Sequence, residues 1–281
     1  MKTNMHDGSA IDVEIQGDGP TLLLPVNPHP VEGSQADEMI KWGADPALGR
    51  NLIEGLSDRF RVVAFDYEGH VLSVPKPDTL TPENIVSDLL AIADSAKAER
   101  FAYYGYSWLA LTGMQLAIRT DRLSALIMGG YPPIDGPYAE MLRVTIAAHE
   151  MTGSGSTPQK ENRQPSEEYD WSSVEVAMTE NQTRQFVTLY SHLQDFDDRS
   201  AQEWIACPHL CFAGTADVID YGERWGDARV DIAGPLVNRR TELESFGWDV
   251  HVFDGLDHTQ SMQATPVLSV VRPWLSSKLI N

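Results

Sequence analysis

Three side chains whose types could together carry out nucleophilic catalysis lie far apart in the chain. Ser107, Asp217 and His258 each follow a short, mainly apolar run. A serine becomes a nucleophile when a histidine accepts its proton, while a carboxylate fixes the tautomer of the histidine and stabilises its charged form. These types predict acyl transfer at Ser107, with His258 as base and Asp217 as its partner. Asp220 and Asp257 are weaker candidates for the carboxylate.

The run around Ser107 predicts a strand, a sharp turn and a helix. Residues 101–105 are mainly aromatic and end in glycine, which is typical of a buried strand, and Leu109, Gly113 and Leu116 follow at helical spacing. A serine at such a turn presents its hydroxyl at the start of a helix, where backbone N–H groups favour negative charge. Taken alone, the pattern favours a serine that caps an ordinary helix after a buried strand.

The elements that must position these residues predict a layered α/β domain. Continuous apolar runs alternate with helical patterns, as in a doubly wound, mostly parallel sheet, which collects its active site at the carboxyl ends of its strands. An alternating run at 12–15 predicts an additional early strand. The predicted apolar strands are 21–26, 61–65, 101–105, 125–130, 209–213 and 250–253.

Residues 105–109, Gly-Tyr-Ser-Trp-Leu, resemble the Gly-x-Ser-x-Gly motif of the α/β-hydrolases. The chain order of Ser107, Asp217 and His258 also resembles that family, and the resemblance covers nearly the whole chain. It implies the α/β-hydrolase fold and a catalytic triad of these three residues. Residues 66–70, Asp-Tyr-Glu-Gly-His, resemble the family's Asp-x-x-Gly-His-Gly loop, which implies a structural loop there. Leu109 replaces the second glycine of the motif, so it must either push the helix outward or point its side chain into the substrate pocket.

The same resemblance implies an oxyanion hole. In this family a backbone N–H after the first parallel strand helps to bind the oxyanion, and Asn27 follows that strand here. Asn27-Pro28 and Trp108 resemble the corresponding residues of the dehalogenase branch, although those enzymes use aspartate as nucleophile. The donors implied are the backbone N–H groups of Asn27 and Trp108. The alternative interpretation of Asn27-Pro28 is a plain turn.

Residues 133–205, called the cap segment below, interrupt the α/β pattern. They predict a helical cap inserted between two parts of a hydrolase core, residues 1–132 and 206–281. Helices are predicted at 138–151, 172–178 and 181–193, with a loose stretch at 152–166 that is rich in Gly, Ser and Pro. The predicted substrate-pocket residues are His29, Leu109, Tyr106, Met141, Met178, Phe186 and Tyr190.

Composition narrows the classes of partner. The 281 residues include 21 Lys and Arg against 41 Asp and Glu, for a formal charge of −20, which argues against nucleic acid binding. The first 20 residues hold no signal-like apolar stretch, and no run approaches the roughly 20 apolar residues of a membrane span. We therefore expect a cytoplasmic protein with no membrane partner. The sequence leaves the oligomeric state open.

No metal or organic cofactor is predicted, since the sequence has neither a ligand cluster nor a phosphate-binding glycine loop. Cys207 and Cys211 fall on one predicted strand, where four residues span about 13 Å, too far for a disulfide. We expect two thiols in the core.

The resemblance implies hydrolysis of a carboxylic ester or lactone through an acyl-enzyme. The runs 27–33, 42–49, 105–111 and 129–138 further resemble the bacterial serine esterases that open the lactone ring of macrolide antibiotics, which implies resistance by hydrolysis. A cofactor-free perhydrolase and a carbon–carbon bond hydrolase would use the same triad. A different class, a non-catalytic receptor for a small ligand, would follow if Leu109 distorted the turn.

Overall fold

A seven-stranded sheet forms the centre of the protein. The computed structural model describes residues 1–153 and 178–280. The strands are β1 (Lys2–Asn4), β2 (Ala10–Asp12), β3 (Glu14–Gln16), β4 (Thr21–Leu24), β5 (Arg61–Ala64), β6 (Phe101–Tyr106), β7 (Leu123–Gly129), β8 (His209–Gly214), β9 (Val218–Asp220), β10 (Arg229–Asp231) and β11 (Trp248–Phe253). In the central sheet the strand order is β11-β8-β7-β6-β4-β5-β3, and all neighbours are parallel except β3 and β5.

Helices flank this sheet. They are α1 (Ser34–Lys41), α2 (Leu48–Leu56), α3 (Tyr67–Ser73), α4 (Pro82–Ser95), α5 (Trp108–Ala117), α6 (Tyr138–Gly153), α7 (Glu180–His192), α8 (Asp198–Ala201), α9 (Ala233–Asn238), α10 (Arg240–Ser245), α11 (His258–Ser261) and α12 (Ala264–Leu279). The doubly wound, mostly parallel sheet predicted from the sequence is thereby confirmed. Among the described residues no helix is both long enough and apolar enough to cross a bilayer.

Two apolar layers hold the helices to the two faces of the sheet. Successive side chains of a strand point to opposite faces, so Leu23 of β4 belongs to one layer while Leu22 and Leu24 belong to the other. The first layer includes Leu89 of α4 together with buried residues of α5 and α7. The second includes Leu52 of α2 together with buried residues of α12. Burial on both faces explains why the central strands are apolar throughout.

The predicted strands at 21–26, 61–65, 101–105, 125–130, 209–213 and 250–253 are confirmed as β4, β5, β6, β7, β8 and β11. The single strand predicted at 12–15 is wrong, because Val13 separates β2 and β3, which belong to different sheets. The loop predicted at 66–70 is also wrong. Residues 67–73 form α3, and the Asp66 side chain caps it by accepting a hydrogen bond from the Gly69 N–H at 2.9 Å.

In the cap segment, the helices predicted at 138–151 and 181–193 are confirmed as α6 and α7, which pack against each other. His149 of α6 and Thr183 of α7 are joined by a hydrogen bond of 3.0 Å. The helix predicted at 172–178 and the loose stretch predicted at 152–166 lie almost wholly outside the described residues. Cys207 and Cys211 are free and buried, as predicted.

Candidate active site

Ser107 occupies the turn between β6 and α5 in a backbone conformation that non-glycine residues seldom adopt. Its φ is 57° and its ψ is −133°, and its backbone N–H donates to the Gly129 carbonyl at 2.8 Å. The Ser107 hydroxyl makes no capping hydrogen bond to α5. The structure therefore does not support the interpretation of Ser107 as a residue that only caps the helix. A strained non-glycine residue of this kind is typical of a functional site.

Gly105 lets α5 lie against the end of β6. A Cβ atom at this position would stand 2.2 Å from the Leu109 backbone oxygen, which is far inside van der Waals contact. The helix is therefore still packed closely although Leu109 replaces the second glycine of the motif. Leu109 is buried and is one of the residues that line a cavity. Of the two expected effects of Leu109, an outward push of the helix is not seen.

Asp217 and His258 are joined as the sequence predicts. The Nδ1 atom of His258 lies 3.0 Å and 2.9 Å from the two carboxylate oxygens of Asp217. The Asp217 side chain is fully buried, and its backbone carbonyl accepts the N–H groups of Ile232 and Ala233 at 3.1 and 3.0 Å. With Nδ1–H held by the carboxylate, Nε2 of His258 carries the lone pair that a base requires.

The two weaker candidates for the carboxylate have other partners. Asp220 forms an exposed ion pair with Arg229 at 2.8 Å. Asp257 caps α11, where its side chain accepts the Gln260 N–H at 2.7 Å. Of the three carboxylates considered, Asp217 is the one bonded to His258.

Ser107 lines two cavities, and the larger of them has a volume of about 400 Å³. It lies at the carboxyl ends of β4 and β6, where the sheet was expected to hold its site. Seven of the sequence-predicted residues line it: Asn27, His29, Tyr106, Ser107, Trp108, Leu109 and His258. A smaller cavity of about 190 Å³ is lined by Ser107, His258, Met141 and Tyr190 among others.

Two predicted pocket residues lie elsewhere. Within the part of the chain that the structure describes, Phe186 and Met178 are absent from the walls of both cavities. Phe186 instead packs edge-on against the Trp108 ring, with centroids 5.4 Å apart. The Trp108 ring also lies 6.1 Å from Tyr67, and its Nε1–H donates to Glu68 at 3.3 Å. Phe186 thus supports Trp108.

Asn27 and Trp108 are both among the residues that line the larger cavity. Among the described residues neither amide donates a hydrogen bond to the protein, and the first N–H groups of a helix have no partner within it. The Asn27 side chain accepts the His29 N–H at 3.0 Å, which is a turn of the kind considered as the alternative. A turn and an available amide therefore coexist at Asn27.

Sequence reasoning missed the acidic wall of the larger cavity. Asp45, Asp66 and Glu68 line it, and among the described residues that line it none is Lys or Arg. Glu68 is an exposed residue of this cavity wall. Desolvation by surrounding protein atoms raises the pKa of its carboxyl group. The hydrogen bond from Trp108 lowers that pKa, and the nearby Asp66 carboxylate raises it. Their position in the sequence could have indicated that they line the site, because Asp66 and Glu68 follow directly after the predicted strand at 61–65.

Within residues 1–153 and 178–280, no group of three or more His, Cys, Asp or Glu side chains is arranged to hold an ion.

No protein-family model matches the chain, and no curated protein matches it with statistical significance. Solved structures do match over nearly its whole length. An enol-lactonase from Burkholderia xenovorans is 19% identical, with a TM-score of 0.61 over 98% of this chain and 100% of that one. A thermophilic esterase from Thermogutta terrifontis is 17% identical, with a TM-score of 0.60 over 99% and 98%.

An epoxide hydrolase from Vigna radiata is 14% identical, with a TM-score of 0.57 over 99% of this chain and 97% of the other. At these identities the likeness concerns the course of the backbone rather than the reaction. Together with the strand order and the helices on both faces of the sheet, it shows that the chain has the α/β-hydrolase fold.

Proposed function

We propose that the protein is a serine hydrolase that cleaves a carboxylic ester or lactone through an acyl-enzyme. The observation that carries this proposal is the bond between buried Asp217 and His258, next to a strained Ser107 whose hydroxyl is not used to cap α5. Both Ser107 and His258 line the same cavities, so a substrate can reach them together. Esterases and an enol-lactonase are among the proteins that share the fold.

In this proposal Nε2 of His258 accepts the proton of the Ser107 hydroxyl while Oγ forms a bond to the carbonyl carbon. The resulting oxyanion receives hydrogen bonds from the N–H groups of Asn27 and Trp108. The carbon–oxygen bond of the ester then breaks, and His258 returns its proton to the leaving alcohol. Water repeats the sequence on the acyl-enzyme, which releases the acid and restores Ser107.

The division into a core and a cap segment is part of the same proposal. Met141 of α6 and Tyr190 of α7 contribute to the wall of the smaller cavity. Core residues 1–132 and 206–281 then supply the triad and the oxyanion donors, while the cap segment supplies part of the substrate pocket.

A narrower proposal concerns macrolide lactones. Four runs of the sequence resemble the esterases that open such rings, and all four contribute to cavity walls in this structure. Runs 27–33, 42–49 and 105–111 supply Asn27, Asp45 and Ser107 among other residues of the larger cavity. Run 129–138 supplies Tyr131 and Pro137 to the smaller one. Opening of a macrolide ring, and hence resistance to such antibiotics, is the proposed biological activity.

The test compares the wild type with Ser107→Ala. Both are treated with a fluorophosphonate probe, and intact mass is measured alongside hydrolysis of short p-nitrophenyl esters. We expect one label and multiple turnovers in the wild type, and neither in the variant. Incubation with a macrolide then reports whether its mass rises by one water molecule; an unchanged mass beside an active enzyme removes the narrower proposal.

The same assays separate the other reactions. Peracid formed from a carboxylic acid and peroxide would indicate a perhydrolase, and cleavage of a diketone would indicate a carbon–carbon bond hydrolase. Tight ligand binding by a well-folded protein that is neither labelled nor active would favour the non-catalytic receptor.

A further inference from the structure

Residues 31–46, called the α1 loop below, form part of the wall of the larger cavity. The loop contributes four residues to the lining: Val31, Met39, Asp45 and Pro46. Ser107 and His258 line the same cavity, but among the described residues none of the cap segment does. Within the part of the chain that the structure describes, the α1 loop and the core therefore enclose this cavity without the cap segment.

The α1 loop is closed at its neck but weakly held between its ends. At the neck the Val31 N–H donates to the Pro46 carbonyl at 2.9 Å, and the Asp45 N–H donates to the Gln263 side chain at 3.1 Å. Helix α1 itself has no buried residue. Among the described residues, the backbone–backbone hydrogen bonds of residues 32–44 stay within the loop. A segment with so few buried contacts opens locally at a low cost in free energy.

A glycine flanks α1 on each side. Gly33 has a φ of 69° and Gly43 a φ of 72°, in the left-handed region that other residues seldom adopt. A Cβ atom at either position would meet no atom within 4 Å. Backbone conformation, and not close packing, therefore accounts for the two glycines. Small residues at both ends of an exposed helix are suited to absorb the dihedral changes of a hinge.

The described part of the cap segment is, in contrast, fixed where it joins the core. Asp135, close to the start of the segment, binds Arg199 at 2.6 Å and Arg239 at 3.0 Å. Arg199, close to its end, also binds Glu242 of α10 at 2.9 Å. These four charged side chains therefore tie both ends of the cap segment to each other and to the core.

Buried hydrogen bonds hold the cap segment at two further places. The Gln202 side chain accepts the Nε1–H of Trp248 at 2.7 Å. The Gln185 side chain of α7 accepts the Lys76 N–H at 3.0 Å. A movement of the cap segment away from the core would have to break such buried hydrogen bonds, whereas a movement of α1 would break none of them.

We propose that the α1 loop, hinged at Gly33 and Gly43, is the gate through which substrate reaches Ser107, while the described part of the cap segment stays docked. The ester or lactone that passes the gate rests on the proposed hydrolase function. Met39 is the residue of α1 that lines the larger cavity, so it contacts the substrate when α1 closes. Its neighbour Ile40 is 60% exposed and lines neither cavity.

Hydrogen exchange of the full chain tests the hinge. Gly43→Ala puts a side chain in the left-handed region at a cost that opening relieves, so residues 34–42 should exchange about 5- to 30-fold faster. Gly8→Ala is the matched control, because Gly8 has a φ of 80° and equally open space but lies between β1 and β2. It should leave exchange in α1 unchanged. Exchange at the wild-type rate in Gly43→Ala, or equal acceleration in both variants, would overturn the hinge.

Labelling of Ser107 with a long-chain alkyl fluorophosphonate tests which element closes over a ligand. We expect the label to slow exchange in α1 and to leave α6 and α7 unchanged. The slowing should be weaker in Met39→Ala, whereas Ile40→Ala should behave like the wild type. Slower exchange in α6 and α7 with no change in α1 would overturn the proposal and identify the cap segment as the part that moves.

Kinetics with a small and a bulky ester test the role of Met39. Met39→Trp should lower kcat/KM for p-nitrophenyl decanoate about tenfold or more and change it little for the acetate, because a larger side chain at the gate excludes larger substrates. Ile40→Trp is the matched control and should alter neither. Equal losses for both esters would remove Met39 as a gate residue. If no label forms and no ester is turned over, the hydrolase function fails, and the Gly43→Ala comparison still decides whether α1 is hinged.

Discussion

The Tyr106 hydroxyl donates a hydrogen bond of 2.7 Å to the backbone carbonyl of His258. Their rings also pack together, with centroids 5.0 Å apart. Tyr106 directly precedes the proposed nucleophile, so this contact joins the end of β6 to the start of α11. Burial raises the pKa of Tyr106, and the nearby Asp217 carboxylate raises it further, so the hydroxyl remains a donor well into the alkaline range.

Tyr106→Phe should therefore lower kcat while KM changes little. The variant keeps the ring but loses one hydrogen bond, worth about 0.5–1.5 kcal/mol, which corresponds to roughly 2- to 13-fold in rate if it is lost in the transition state. Steady-state kinetics with a short p-nitrophenyl ester provide the measurement. Tyr106→Ala, which also removes the ring, should be slower still. An unchanged kcat in both variants would show that this contact does not position His258.

Asp217→Asn should nearly abolish turnover. An amide at this position no longer holds the His258 tautomer or stabilises its charged form, and comparable replacements cost about 10⁴-fold in kcat. The measurement is kcat together with the rate of fluorophosphonate labelling. Asp220→Asn is the matched control, since Asp220 is exposed in an ion pair with Arg229 and should leave activity within about twofold. A larger loss in the control than in Asp217→Asn would reassign the carboxylate.

Much of this site is predictable from the sequence because its determinants are local. An apolar run followed by a serine, an aspartate or a histidine is visible in one dimension, and a parallel sheet brings the carboxyl ends of its strands to one edge. This suffices to predict the Asp217–His258 pair and the cavity beside Ser107. The same reasoning predicts β4 to β8 and β11, since central strands buried on both faces are apolar throughout.

The rest depends on contacts between distant residues. Nothing near Phe186 in the sequence indicates that its ring meets Trp108, and nothing near Ser107 indicates that two cavities meet there. Residues 67–73 form a helix that Asp66 caps, although the resemblance of residues 66–70 to a family loop predicted otherwise. Helix α1 has no buried residue. It therefore lacks the apolar stripe by which a helix that packs on the core is predicted from its sequence.

Gly49→Ala should impair the proposed oxyanion hole. A Cβ atom at Gly49 would stand 1.9 Å from the Asn27 backbone oxygen, so the peptide next to the Asn27 amide must move. Loss of one oxyanion donor typically costs about 10²- to 10³-fold in kcat. Steady-state kinetics, corrected for the folded fraction from thermal unfolding, measure the effect. Gly55→Ala on the same helix meets the flexible Leu268 side chain instead and should retain kcat within about threefold. Equal activities for both variants would remove Asn27 as a donor.

Asp7→Asn should destabilise the protein at neutral pH. Lys76 is 3% exposed, and its Nζ lies 2.7 Å from Asp7 and 3.2 Å from the fully buried Asp88. Burial by itself would raise the pKa of Asp7, but hydrogen bonds from Lys76 and Ser9 outweigh it and hold the pKa well below its ordinary value. The substitution leaves a buried ammonium with one carboxylate fewer, at an expected cost of about 1–3 kcal/mol.

The pH dependence of that loss tests its cause. A carboxyl group whose pKa is depressed by folding stabilises the native state above its unfolded pKa of about 3.9, and this contribution declines as the pH falls toward the native value. The difference in unfolding free energy between wild type and Asp7→Asn should therefore be constant from about pH 7 to 5 and shrink below about pH 4. Urea unfolding across this range provides the measurement. Asp12→Asn, an exposed carboxylate on the same segment, should change stability by less than about 0.5 kcal/mol. A difference that grows on acidification would show that Asp7 does not stabilise the fold as a charged partner of Lys76.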